Sequence, residues 1–159
     1  MIWKPELTVA AVVEQQGRFL VVEERVARRL VFNQPAGHVE EGEDLLHAVV
    51  RETLEETAWQ FQPQAIVGIY LWKNPANEKS FLRVAYTGIA ASHDPHRRLD
   101  RAILRVHWLT RDQLLGRQSH LRSPMVLRCV DDYLAGTRLP LESLTQLPFE
   151  QVEARAAVL

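Results

Sequence analysis

Cysteine is nearly absent from this chain of 159 residues: Cys129 stands alone. That excludes an internal disulfide and a zinc site built from several thiolates. Excess charge is missing too. Nineteen basic residues face twenty acidic ones, for a net charge of −1. The chain therefore lacks the electrostatic footprint of sequence-independent nucleic-acid binding. No apolar run approaches the ~20 residues of a membrane-crossing helix. The opening Met1-Ile2-Trp3-Lys4-Pro5-Glu6 lacks a signal-peptide layout. No nucleic-acid partner, no membrane and a cytoplasmic location are thus expected. Lysine is scarce, with 16 of the 19 basic residues being arginine. That suits phosphate binding, although genome composition explains it equally well. There is no repeat, no low-complexity tract and no sign of a second domain, so residues 1–159 are expected to form one domain with a real core.

What is present is a run of short strand and helix signals. Leu7 to Glu14 is apolar and β-branched with little alternation, as in a strand buried on both faces. Gln15-Gln16-Gly17 reads as a turn, and Arg18 to Glu24 as the hairpin partner. Arg25 to Arg29 is a charged connection, and Leu30 to Gln34 a short strand. Gln64 to Trp72, Ser80 to Ala90 and Ile103 to Leu109 read as further strands, with turns or loops at 73–77 and 92–100. Thr110-Arg111-Asp112-Gln113 has the form of a capping box, closed by Gly116. Ser123-Pro124 places a cap residue before a first-turn proline, ahead of helical spacing through Val126, Cys129, Val130, Tyr133 and Leu134. The tail from Leu139 is expected to pack irregularly, with a last helical turn near Val152. Strands flanking a helix, then more strands and a terminal helix, make an α/β protein with a mixed sheet.

The chemistry concentrates between Gly37 and Trp59. Wound as a helix over residues 44–59, Glu52, Glu55 and Glu56 share one face. Leu46, Val49, Val50, Thr53 and Thr57 form the expected buried stripe, and Ala48 leaves the acidic side open. Like charges at these spacings cost roughly 0.2–0.5 kcal/mol per pair. An acidic face is ordinarily just solvated. Here Arg51 is four residues before Glu55 and beside Glu52, and Gln34-Pro35-Ala36-Gly37-His38 offers backbone carbonyls ahead of the helix. A hard divalent cation such as Mg²⁺, which takes carboxylate and phosphate oxygens, would supply the counter-charge.

The spacing of Gly37, Glu43, Arg51-Glu52 and Glu55-Glu56, with Trp59 as the bulky apolar residue at the end, resembles the Nudix box. Thr53 stands where an aliphatic residue is usual, and Ala58 where glycine is usual. Thr53 keeps the β-branched shape. Ala58 removes the residue that favours a left-handed cap, so the helix is expected to end differently or run one residue further. The resemblance implies an α/β/α sandwich with the box as loop–helix–loop, and hydrolysis of pyrophosphate bonds with Mg²⁺, or Mn²⁺ in its place. It implies metal ligands in Glu52, Glu55, Glu56 and the Gly37 carbonyl, with Glu43 and Arg51 steadying the loop and carboxylates. Glu52 is the first candidate for general base and Asp100, in the loop before the last strand, the second. Asp94 competes with Asp100.

Outside the box, Arg83 is either a solvent-facing charge on an edge strand or a phosphate clamp. Arg122, beside a helix start, and His38, beside the metal loop, are further candidates for substrate binding. Tyr70 and Trp72 either pack in the core or stack a flat ring. The segments Val31 to Glu40, Phe81-Leu82-Arg83, Leu121 to Pro124 and Gly136 to Leu141 resemble a phosphatase branch of the Nudix family. That branch is associated with releasing phosphate from nucleoside di- and triphosphates and thiamine-pathway pyrophosphates. The expectation is a hydrolase of such small molecules, monomeric or homodimeric. The alternatives are a housecleaning pyrophosphohydrolase for nucleotides or nucleotide-sugars, and a Nudix-shaped nucleotide sensor without turnover.

Overall fold

The computed structural model describes residues 1–149; the helical turn expected near Val152 lies outside them. In chain order the strands are β1 (Glu6–Val12), β2 (Glu14–Gln15), β3 (Arg18–Val26), β4 (Arg29–Asn33), β5 (Ala36–His38), β6 (Trp59–Lys73), β7 (Ser80–His93) and β8 (Ile103–Leu109). The helices are α1 (Leu45–Thr57), α2 (Arg111–Leu115) and α3 (Met125–Leu134), with short 3-10 turns at Gln118–His120 and Leu141–Ser143. Among the described residues, no helix is long and apolar enough to cross a membrane.

The strands form two four-stranded sheets. One runs β5-β1-β7-β6 and is mixed, because β1 and β7 are parallel while the outer pairs are antiparallel. In the other, β3 lies between β4 and β8, and β2 pairs with the start of β3. The expected hairpin of 7–14 with 18–24 survives at its turn end, as Glu14 opposite Phe19, Gln15 opposite Arg18 and the Leu20 amide on the Val13 carbonyl at 2.9 Å. β1 itself leaves for the other sheet. Val9 to Val13 are almost entirely inaccessible, so β1 needs cover on both faces and a neighbour on both edges. Its alternation serves two cores. Val9, Ala11 and Val13 pack with Leu45, Ala48 and Val49 of α1, whereas Val12 packs with Leu114 of α2 and Val126, Cys129 and Val130 of α3. The result is an α/β/α arrangement.

β6 starts five residues earlier than its sequence signal, at Trp59. Pro63 has no N–H for a ladder, but β6 is an edge strand and takes it up at a register shift. Gly88 faces that irregularity. A Cβ there would run into the Gln62 carbonyl oxygen, so the close approach requires glycine.

α1 is fixed at both ends. Asp44 caps it, accepting from the Leu46 and His47 amides at 2.7 and 3.3 Å. Its end corrects both expectations for Ala58. The helix stops there, with Ala58 itself in the left-handed region (φ 61°) and its N–H on the Leu54 carbonyl. A non-glycine residue pays about 1–2 kcal/mol for that conformation. The buried stripe also shifts. Leu45 is buried in place of the exposed Leu46, and Val50 is only half-buried. Ala48 is fully buried, so it does not keep the acidic side open. The buried Thr53 and Thr57 hydroxyls donate to the Val49 and Thr53 carbonyls at 2.7 and 2.6 Å. Thr53 therefore packs without an unmet polar group. α2 shows the expected capping box. At α3, Pro124 is already helical and the Met125 amide donates to Ser123 Oγ at 3.2 Å.

Candidate active site

Arg51 is the hub of the acidic helix face. Its Nε and Nη2 donate to the two carboxylate oxygens of Glu43 at 2.7 and 2.8 Å. Nη1 donates to Glu52 Oε1 at 2.9 Å and Glu55 Oε2 at 3.2 Å, and Nη2 also reaches the His38 carbonyl at 3.2 Å. All five guanidinium N–H groups are used. The helical spacing identified the Glu55 contact, but the stronger partner is Glu43, eight residues back across the helix start. This fork holds the Glu43 carboxyl far below the usual range, at about 2. The same partners raise the Arg51 pKa. Arg51 thus ties the pre-helix loop to the carboxylates and contributes their fixed counter-charge.

Gly37, in β5, packs directly on Glu52. A Cβ at Gly37 would overlap the Glu52 carboxylate carbon and both its oxygens, so only glycine lets that carboxylate lie on the β5 backbone. Glu52, Glu55 and Asp100 each bring a carboxylate oxygen to within 4.8 Å of the others. Asp100 arrives through the end of α1. The last carbonyls of a helix need outside donors, and here the Asp100 amide donates to the Glu55 carbonyl and the Asp94 amide to the Ala58 carbonyl, both at 3.0 Å. The 94–102 loop is thereby laid against the acidic face. Asp94 turns instead to its own loop, accepting from the His96 amide. Burial raises the Glu52 pKa, against the pull of Arg51 and with the help of Glu55 and Asp100.

Glu56 is separate from this cluster. Its carboxyl is buried and accepts from the Ala36 amide at 2.7 Å. Burial pushes its pKa up to about 9. Three clustered carboxylates, two of them bonded to Arg51, offer hard oxygen ligands that fit a divalent cation.

Beside Gly37 opens a cavity of about 150 Å³, whose lining includes His38, Arg83, Arg122, Trp72 and Glu24. The three substrate candidates therefore meet at one place. Arg83 is not on an edge strand. It lies on β7, between β1 and β6, and is 3% exposed. Its Nη1 and Nη2 donate to Gln34 Oε1 and Asn33 Oδ1 at 2.9 and 3.0 Å, while Nε has no partner among the described residues. Arg122 is half-exposed and sits 3.8 Å from Glu24. The His38 ring is mostly exposed and bonds to Glu6, so its side chain leans away from the acidic face. Trp72 lines the cavity and stacks on Phe81, with ring centres 6.0 Å apart. Tyr70 packs against the α3 core and donates to Asp132 at 2.8 Å. In the sequence, the side chains of Asn33, Gln34 and Glu24 carry no role. Glu24 marks only the end of a strand there; in the structure burial raises its pKa against the pull of Arg122 and Asn33.

The NUDIX domain model matches residues 4–129. The chain belongs to the Nudix family. It is 38% identical over 143 residues to Phosphatase NudJ of Escherichia coli K12, covering 90% of this chain and 92% of that one. The match to Phosphatase NudJ of Shigella boydii has the same identity and coverage. Among solved structures, a NUDIX hydrolase from Nitrosomonas europaea superposes with a TM-score of 0.88 at 43% identity, over 91% of this chain and 98% of that one. A MutT protein from Methanosarcina mazei Go1, at 22% identity and TM-score 0.69 over 87% of this chain and 100% of that one, shares the fold. This Nudix chain is a hydrolase acting on phosphoric anhydrides.

Proposed function

We propose that this enzyme removes the terminal phosphate from nucleoside di- and triphosphates and from thiamine-pathway pyrophosphates, in the cytoplasm, releasing inorganic phosphate. The observation that carries this reading is the Glu52–Glu55–Asp100 cluster beside a cavity that holds the buried, carboxylate-free guanidinium of Arg83. The likeness to Phosphatase NudJ supports release of phosphate rather than pyrophosphate.

Glu52, Glu55, Glu56 and the Gly37 carbonyl would hold Mg²⁺, or Mn²⁺ in its place, with Asp100 at the same cluster. When bound, the cation neutralises diphosphate charge and acidifies the attacking water. The chain's own residues do the rest. Arg51 and Glu43 hold the carboxylates in place as positioning residues. Arg83 and Arg122 hold the phosphates so that the terminal phosphorus lies in line with the water. Glu52, or Asp100 beside it, takes the water's proton as oxygen bonds to phosphorus and the bridging P–O bond breaks. His38 contributes its carbonyl to Arg51 and its ring to the cavity rim.

Assaying nucleoside triphosphates and thiamine pyrophosphate with Mg²⁺ tests this, with phosphate and pyrophosphate measured separately. Direct phosphate release without added pyrophosphatase is expected. A triphosphate that yields only monophosphate and pyrophosphate would mean inner-phosphorus attack, as in the housecleaning alternative. No turnover across the panel would overturn both proposed substrate classes.

A further inference from the structure

A cavity that takes a polyanion has little reason to contain an acid, yet Glu24 lines it. A carboxylate there repels phosphate, so it belongs against the rest of the substrate, where it acts as a hydrogen-bond acceptor. Its acceptors are poorly used. The Arg122 nitrogen is 3.8 Å away, beyond hydrogen-bond range. The neighbouring Asn33 has its oxygen fixed by Arg83 Nη2 at 3.0 Å, which leaves only its amide nitrogen to donate toward Glu24. Trp72, half-buried and backed by Phe81 at an interplanar angle of 22°, forms a flat wall of the same cavity. Trp72, Arg122 and Ser123 also line an open groove of about 670 Å³, so a ring on the wall has a way out to solvent.

We propose that Glu24 accepts a hydrogen bond from the exocyclic amino group of a flat nitrogen heterocycle lying against Trp72. The enzyme then favours substrates whose ring carries that amino group over those with an oxo group in its place. This rests on reading the cavity as the substrate site, and it adds which organic group the site selects. An oxo group opposite Glu24 sets two acceptors against each other. A site built around a polar partner rejects a mismatched analogue strongly, and charge-assisted bonds are the stronger kind.

Two substrate pairs exchange this amino group for an oxo group, with the adjacent ring nitrogen gaining a proton: CTP against UTP, and thiamine pyrophosphate against oxythiamine pyrophosphate. Phosphate release gives kcat/KM for each, in the wild type, Glu24→Gln and Glu24→Leu. The wild type is expected to prefer the amino member of at least one pair by about 10- to 100-fold. The pair that shows the preference identifies the ring source as nucleobase or thiamine-type pyrimidine. In Glu24→Leu that ratio should fall to within about threefold of unity, with Glu24→Gln, which keeps an acceptor oxygen, in between. Wild-type ratios near unity in both pairs overturn the proposal even if no variant folds. A ratio unchanged in Glu24→Leu, with both members slowed in parallel, overturns it as well and makes Glu24 part of the phosphate chemistry. Failure to release phosphate from any of the four substrates overturns the proposed function first, and this inference with it.

Discussion

Arg51→Ala should destabilise the metal-free protein by about 2–3 kcal/mol at pH 7, and most of that should vanish in acid. Glu43 and Arg51 are 8% and 19% exposed at their side chains, so their fork is mostly removed from water. Holding the Glu43 carboxyl at about 2 instead of 4.5 is worth at most roughly 3 kcal/mol at neutral pH. Residual solvent screening brings this to about 1–2 kcal/mol. Losing the counter-charge to Glu52 and Glu55 adds about 1 kcal/mol. The sign follows from the depressed value. Glu43 contributes its full stabilisation above about 4.5 and loses it as pH falls through about 2. By pH 3 under roughly half of that contribution should remain. Urea unfolding of both proteins with chelator, at pH 7 and pH 3, measures the difference. A loss below about 0.5 kcal/mol at pH 7, or one equally large at pH 3, would refute the reasoning. With saturating metal, the variant should lose kcat more than it gains KM. A raised KM alone would mean that Arg51 contributes only uniform substrate binding.

Gly37→Ala should fold yet lose most activity, because its Cβ displaces the Glu52 carboxylate; an active Gly37→Ala enzyme would mean that Glu52 can work from elsewhere. Glu56→Gln keeps the size of a protonated carboxyl and can still accept from the Ala36 amide, so thermal melting without metal should be unchanged or higher. Its turnover should fall by roughly two orders of magnitude, and near-normal turnover would remove Glu56 from the metal set.

The acidic face of α1, its Asp44 start, the α2 capping box and the turn before α3 were legible in the sequence. Each depends on residues within about one helical turn of one another, and local spacing fixes local geometry. The spacing of Gly37 to Trp59 carried the family in the same way. Tertiary structure decided the partners that are distant in sequence. Leu45 replaced Leu46 in the core because the sheet, not helical periodicity alone, sets how α1 is rotated. β1 and β3 separated into two sheets because β7, some seventy residues later, gives β1 its parallel neighbour. Asp100 reached Glu52 and Glu55 because open carbonyls at the end of α1 captured its loop. Arg83 could be read as a surface charge or a phosphate clamp, and Glu24 carried no assignment, until β7 and β3 brought them to one cavity. A sequence records which groups are available, but desolvation and unmet hydrogen bonds arise only when distant segments pack together.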